Sequence, residues 1–244
     1  MKCSIQLSSF HQFLKSDAQR TLERIAATGF SHVELNASYG ADNSDYSQAL
    51  ASAGLDVVAV DIQLHELRAR FGACLEYAGL FGADWIVIPV VQIDEYGDGW
   101  LRLGEELGLI STAVRESGLK LAYHTGLADF RSAEGRVALA NLATGADDNL
   151  DIAFDATAAA KSKEDPAEWL LKLSGQVPIV ALECMGDQIV NEKSLDRDVW
   201  NAVRGVSEEA GIEYVSLRVD YVTGDQFEQL GRIKGFMASE GLFD

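Results

Sequence analysis

The residues of this chain that could do chemistry are carboxylates, one histidine and one arginine, each placed where a short apolar run ends. Gln6 and Ser8 follow Cys3-Ser4-Ile5, Glu34 and Asn36 close the run begun at Phe30, and Asp61 and Gln63 follow Val57-Val58-Ala59-Val60. Gln92 follows Trp85-Ile86-Val87-Ile88-Pro89-Val90, and His124 ends Leu119-Lys120-Leu121-Ala122-Tyr123. Asp155 ends Ile152-Ala153-Phe154, Glu183 ends Val180-Ala181-Leu182, and Arg218 and Asp220 stand two apart on the last run. Such groups bind a metal ion, move a proton or hold an oxyanion. Residues two apart on a strand face one side, so Arg218 and Asp220 point together. A carboxylate that ends a buried apolar strand is costly unless paired or metal-bound, which makes Asp155 and Glu183 the strongest signals. Each group also has a plainer reading: Glu34 as a cap of the rim, Asp61 as the ion-pair partner of Arg68 or Arg70, His124 as a structural histidine. Collectively they read as a binding site.

The elements that must position them alternate. Apolar runs near residues 3–8, 30–36, 55–62, 84–90, 119–124, 150–155, 178–183 and 212–219 read as strands. Several are apolar almost throughout, as strands covered on both faces are, and parallel sheets are covered on both faces. Between them lie helical stretches near 17–28, 44–53, 65–81, 99–117, 133–144, 165–173, 196–210 and 223–240. In the third, Leu64, Leu67, Phe71, Leu75 and Ala78 recur at three- and four-residue steps. Asp17 and Asp165 stand at N-cap positions, the latter before Pro166, and Gly29, Gly54, Gly82, Gly118 and Gly211 close helices. Strand–helix alternation predicts a parallel sheet with right-handed crossovers. Eight units predict closure into a single-domain (β/α)8 TIM barrel over residues 1–244. An open sheet with a dinucleotide fingerprint is disfavoured, because Ser8-Ser9-Phe10-His11 stands where Gly-x-Gly-x-x-Gly would. In such barrels the active site lies at the carboxyl ends of the strands, where the polar residues gather.

Composition removes several classes of partner. The formal net charge is −18 with no basic block, so a polyphosphate backbone and an anionic membrane surface are both disfavoured. No apolar run approaches the roughly 20 residues needed to cross a bilayer, and the N-terminal residues lack the apolar core of a secretory signal. Three dispersed cysteines, Cys3, Cys74 and Cys184, form neither a disulfide framework nor a zinc spacing. A cytoplasmic protein is expected, and a homo-oligomer is left open. His-Glu-x-x-His, Gly-x-Ser-x-Gly and P-loop patterns are absent, and Cys184 has no basic sequence neighbour to activate it.

Taken together, these segments resemble the xylose isomerase-like TIM barrels, a group that includes sugar isomerases, epimerases and inosose dehydratase. The resemblance spans essentially the whole chain. It is clearest from Thr21 through Leu35, at Leu50-Ala51-Ser52-Ala53-Gly54-Leu55, Tyr77–Ala83 and Gly118–His124, and at Phe154-Asp155 followed by Ala158-Ala159-Ala160-Lys161. It implies one divalent metal, held by two glutamates, an aspartate and a histidine, which polarises a carbonyl while a carboxylate moves the adjacent proton. Asp155 matches the aspartate of that set, His124 is kept, and Asp129 stands where a glutamate falls. The strand-seven histidine position is Ala181, the strand-eight glutamate position is Arg218, and Gly126 replaces a second histidine. Asp155, Glu183 and Asp129 are the metal candidates that remain, and Glu183 with Asp220 and Asp155 could rebuild an all-oxygen site suited to Mg²⁺ or Mn²⁺. Alternatively Arg218 takes the place of the metal as electrophile.

The expected function is that of a sugar isomerase, epimerase or dehydratase of carbohydrate metabolism. It would act on a small polyol or keto-sugar by abstracting a proton next to a carbonyl. Glu183 is the expected base, His124 the orienting or proton-shuttling group and Arg218 the catalytic cation. Glu34, Asp61, Gln63 and Asp220 would bind the substrate. The alternative is a catalytically inert barrel that binds a sugar or sugar acid without metal. An abasic-site endonuclease of the same fold ranks last, because it would need many histidines and a basic face, and the chain has four histidines.

Overall fold

The computed structural model describes residues 1–36, 43–91, 99–133, 135–220 and 224–241. Eight parallel strands close into a barrel: β1 (Lys2–Gln6), β2 (His32–Asn36), β3 (Asp56–Asp61), β4 (Trp85–Ile88), β5 (Lys120–His124), β8 (Asp151–Asp155), β9 (Ile179–Met185) and β10 (Tyr214–Asp220). Two residue pairs, β6 (Ser132–Ala133) and β7 (Arg136–Val137), form a small antiparallel hairpin that the sequence pattern did not announce. The helices are α1 (His11–Ser16), α2 (Ala18–Ala27), α3 (Asn43–Ala53), α4 (Leu64–Ala69), α5 (Phe71–Leu80), α6 (Trp100–Arg115), α7 (Ala138–Ala146), α8 (Ala156–Lys161), α9 (Pro166–Lys172), α10 (Leu195–Ala210) and α11 (Gln226–Ser239). Among the described residues, no helix is long and apolar enough to cross a membrane.

The local signals act as chemistry requires. Asp17 and Asp165 cap α2 and α9 by accepting backbone N–H bonds, and Pro166 opens α9. Gly211 ends α10 in the left-handed region, at φ 77°, where a side chain would be strained. The stretch expected as one helix over 65–81 is two, because Arg70 leaves helical geometry at φ −141°, ψ 48°. Leu67 and Ala78 still reach the core, while Phe71 and Leu75 are only partly buried. Helices α6 and α7 approach through glycines: a Cβ on Gly145 would collide with the carbonyl oxygen of Leu101, and one on Gly104 with that of Leu142.

Alternation along the strands sorts the residues into two layers. Ile5, Ile86, Ile88, Leu121, Tyr123, Ile152, Phe154, Val180, Leu182, Val215 and Leu217 join the helices in the main core. Their neighbours Ala59, Trp85, Val87, Ala122, Ala153, Ile179 and Tyr214 form a separate apolar cluster that fills the barrel. By the same period of two, Ser4, Gln6, Glu34, Asp61, His124, Asp155, Glu183, Ser216 and Arg218 face inward. A bulge opposite Val33 and Glu34 pairs Glu34 with Ala59 and sets Asn36 beside Asp61. At mid-height the barrel is lined by Ser4, Ala59, Ala122, Ala153, Ala181 and Ser216, all buried. These small side chains leave the upper interior to the polar ring.

Candidate active site

A cavity of about 610 Å³ opens at the carboxyl ends of the strands. Its wall includes Gln6, Ser8, Asn36, Asp61, His124, Asp155, Lys161, Glu183 and Arg218, drawn from seven strand ends and α8. Asp155, at the end of β8, caps α8: its Oδ1 accepts from the Ala158 N–H at 2.8 Å, and its own N–H donates to Thr125 Oγ at 2.8 Å. Those bonds engage Oδ1 and the backbone N–H and leave Oδ2 without a hydrogen bond among the described residues. Burial pushes its pKa up to about 6, against the Ala158 N–H and the Arg218 guanidinium, which pull it down. No ion pair to Asp155 is present among the described residues. His124, at the end of β5, is held neutral: burial and then the nearby Arg218 charge depress its pKa to about 4.

Glu183 on β9 is in a different state. Its carboxylate accepts from Lys161 Nζ through Oε2 and from Arg218 through Oε1 at 2.8 Å, and its backbone N–H donates to Thr157 Oγ at 3.0 Å. Burial alone would raise its pKa, but the Lys161 ammonium and the Arg218 guanidinium outweigh it and hold the carboxyl below its ordinary value. A carboxylate bound on both sides by cations is a weak base. Arg218 lies directly opposite Glu183 in the register of β9 and β10, and its Nε also donates to Asp220 Oδ2 at 2.7 Å. Lys161 is the site residue that the strand pattern missed. Its signal was the short helix capped by Asp155, whose last residue it is.

The structure divides the remaining candidates. Asp61 lines the cavity, whereas Arg68 pairs with Glu106 and Arg70 with Glu66, so the ion pair expected for Asp61 is not formed with either. Glu34 lies one layer below the rim, buried. Gln63 stands exposed at the start of α4 and is not part of the wall; a substrate contact from it is not supported. Asp220 reaches the site only through Arg218. Gln92 falls outside the described residues. Asp129 is fully buried away from the cavity, where Oδ1 accepts from Tyr123 Oη at 3.0 Å and Oδ2 from Gly126 N at 2.6 Å.

The metal set Asp155, Glu183 and Asp129 therefore does not assemble. Among the described residues, no three His, Cys, Asp or Glu side chains converge so as to hold an ion. The donor chemistry gives the reason. Asp129 spends both oxygens inside the fold, and Glu183 already carries two cations. Arg218 sets a permanent positive charge where the resemblance implies a carboxylate ligand. The residues present do not fit a divalent ion on the β5–β10 side.

Backbone and cavity together define a (β/α)8 barrel with a polar cavity at the carboxyl ends of its strands. The chain has the (β/α)8 TIM-barrel fold. It superimposes on a sugar phosphate isomerase/epimerase from Parabacteroides distasonis with TM-score 0.80 at 16% identity, covering 97% of this chain and 93% of that one. An AP endonuclease, family 2, from Brucella melitensis matches with TM-score 0.72 at 15% identity over 98% of both chains. D-Psicose 3-epimerase from Clostridium cellulolyticum matches with TM-score 0.71 at 12% identity over 98% of this chain and 99% of that one. No family model and no curated protein sequence matches. Identities this low, shared between proteins of different activity, establish the fold alone.

Proposed function

We propose that the protein is an isomerase or epimerase of a small keto-sugar or polyol that works without a metal on the β5–β10 side. The observation that carries the reading is the gathering of Asp155, neutral His124, Arg218 and Lys161 on one cavity wall, with Asp155 free of a direct ion pair. Asp155 takes the role of base, in place of Glu183. Its carboxylate removes a proton from the carbon next to the substrate carbonyl and becomes the carboxylic acid. The C–H electron pair moves into the carbonyl, and the resulting enolate oxygen lies against Arg218 and Lys161, fixed cations that need no reorganisation as the charge develops. The carboxylic acid, whose proton exchanges with solvent in the open cavity, then protonates the former carbonyl carbon while the adjacent hydroxyl passes its own proton to the enolate oxygen, so that carbonyl and hydroxyl exchange places. His124, as the neutral imidazole, hydrogen-bonds the adjacent hydroxyl. Glu183 and Asp220 position Arg218 and do not touch the proton. The carboxylate-rich wall and the net charge of −18 argue against a nucleic-acid substrate.

One observation favours the alternative of an inert barrel that binds a sugar or sugar acid: Arg218 is already neutralised by Glu183 and Asp220. Both readings meet one experiment. The protein is incubated in D₂O with a panel of ketoses, aldoses and sugar acids, and deuterium is sought by mass spectrometry at the carbon next to the carbonyl. Exchange that falls by about 10²–10⁴-fold in Asp155→Asn supports the isomerase. Absence of exchange with any sugar that raises the thermal midpoint leaves the binding module.

A further inference from the structure

Toward β1, β2 and β3, the barrel interior holds acidic oxygens that no ion pair among the described residues neutralises. Glu34 on β2 is buried, and beneath the rim its Oε1 has no hydrogen-bond partner among the described residues; the same is true of Asp61 Oδ1 on β3. Two further oxygens share that condition: the hydroxyls of Ser4 on β1 and Ser216 on β10, both completely buried and both on the inward face. Ser4 and Ser216 are register partners, as are Gln6 and Glu34, so the five side chains come from four adjacent strands. Ser216, Gln6 and Ser4 lie near enough to Glu34 to favour its charge, although neither serine hydroxyl meets the geometry of a hydrogen bond. Asp61 lies near enough to Glu34 for the two carboxyls to repel.

Four orphaned buried oxygens in one place are a cost that folding leaves in place only where something else supplies the partner. Among the described residues no ion pair reaches Glu34 or Asp61; Lys161 is taken up by Glu183, and Arg218 by Glu183 and Asp220. The donor set is all oxygen and includes two carboxylates, two hydroxyls and the Gln6 amide. It has neither sulfur nor imidazole. Hard cations choose that chemistry, and they sit between oxygens that are too far apart to bond to one another. The cavity at the strand ends opens onto Gln6 and Asp61 of this group.

We infer that Glu34 and Asp61, with Ser4, Ser216 and Gln6, form a site for a hard divalent cation, Mg²⁺, Mn²⁺ or Ca²⁺, drawn from the adjacent strands β10, β1, β2 and β3. The site shares none of its ligands with the Asp155–Glu183 wall and stands whether or not the protein is an isomerase. The test uses protein freed of metal with a chelator and dialysed against each ion, with bound metal counted by mass spectrometry and Mn²⁺ affinity measured by electron paramagnetic resonance. Wild type is expected to take up one ion. Glu34→Gln and Asp61→Asn, each checked for folding by circular dichroism, are expected to lose affinity by about tenfold or more. Asp155→Asn and Glu183→Gln are expected to bind as wild type does. Uptake of no ion by folded wild type overturns the inference, and so does loss of binding in Asp155→Asn or Glu183→Gln with Asp61→Asn unaffected.

Discussion

Asp129 offers a test in which the neutral side chain should outperform the natural one. The carboxyl is fully buried, and burial outweighs the Gly126 and Tyr123 hydrogen bonds and pushes its pKa from 3.8 to about 7. A group whose folded pKa is raised holds its proton more tightly in the native state. A carboxyl of this kind therefore contributes its full stability below the unfolded pKa and loses it as pH rises through the folded one. At about 1.36 kcal/mol per pKa unit, the gap is worth on the order of 4 kcal/mol, lost between about pH 4 and pH 7. Asp129→Asn mimics the protonated acid: its amide oxygen can accept from Gly126 N, and its NH₂ can donate to Tyr123 Oη. The variant should be more stable than wild type at pH 8, and its margin should grow by about 2–3 kcal/mol between pH 5 and pH 8. Urea unfolding of both proteins at the two pH values measures this, and Glu34, which titrates in the same window in both, cancels in the comparison. Asp129→Ala should lose stability at both pH values, by about 1–3 kcal/mol from the unpaired Gly126 N–H alone. A margin for Asp129→Asn that is the same at pH 5 and pH 8 would refute the reasoning and mean that the two hydrogen bonds suffice to keep the carboxyl ionised.

Three further outcomes follow from the same geometry. Gly145→Ala should cost about 1–3 kcal/mol in denaturant unfolding, because the new methyl strikes the Leu101 carbonyl where α6 and α7 meet. Lys161→Met should raise the Glu183 carboxyl pKa, read from its ¹³C chemical shift against pH, since the ammonium is one of the two cations that hold it down. Its effect on global stability should stay within about 1 kcal/mol, because the pair is partly exposed. Cys3 and Cys184 are buried, and burial raises the Cys184 thiol well above its ordinary value. A thiol reagent at pH 8 should therefore modify them only as fast as urea opens the barrel.

The barrel was legible because its evidence is local and repeated. Every apolar run placed as a strand is one, Asp17 and Asp165 open α2 and α9, and Gly211 ends α10, as their chemistry demands. What escaped the pattern was set by tertiary context. The break at Arg70 interrupts an unbroken helical period, and the hairpin of Ser132–Ala133 with Arg136–Val137 is too short to carry one. The same divide runs through the site. Strand parity brought Asp61, His124, Asp155, Glu183 and Arg218 to one cavity. Their states depend on partners far along the chain: Glu183 is quenched by Lys161, 22 residues away, and by Arg218 across the strand register. Asp129 departs from the metal set for a converse reason. Its partners, Tyr123 and Gly126, are close in sequence, but only the turn after β5 aims its carboxyl into the core instead of the cavity.

The distribution of charge around the rim constrains any ligand more tightly than the fold does. On the β8–β10 side, the two cations Lys161 and Arg218 face Glu183 and Asp220, so that wall is close to neutral before anything binds. On the β1–β3 side, before the inferred divalent ion binds, Glu34 and Asp61 pair with no cationic side chain among the described residues and repel one another. A purely anionic ligand would have to break an existing ion pair to reach Arg218 and would gain nothing from the acidic wall. A neutral polyol fits both, because its hydroxyls can donate to Asp61 and Asn36 while its carbonyl oxygen accepts from Arg218. Anion charge on the substrate should therefore appear only in the transition state, where Arg218 and Lys161 can respond to it. Affinity for a sugar acid that greatly exceeded affinity for the matching neutral sugar would show that Glu183 and Asp220 release Arg218 on binding, and would move the argument to the inert binding module.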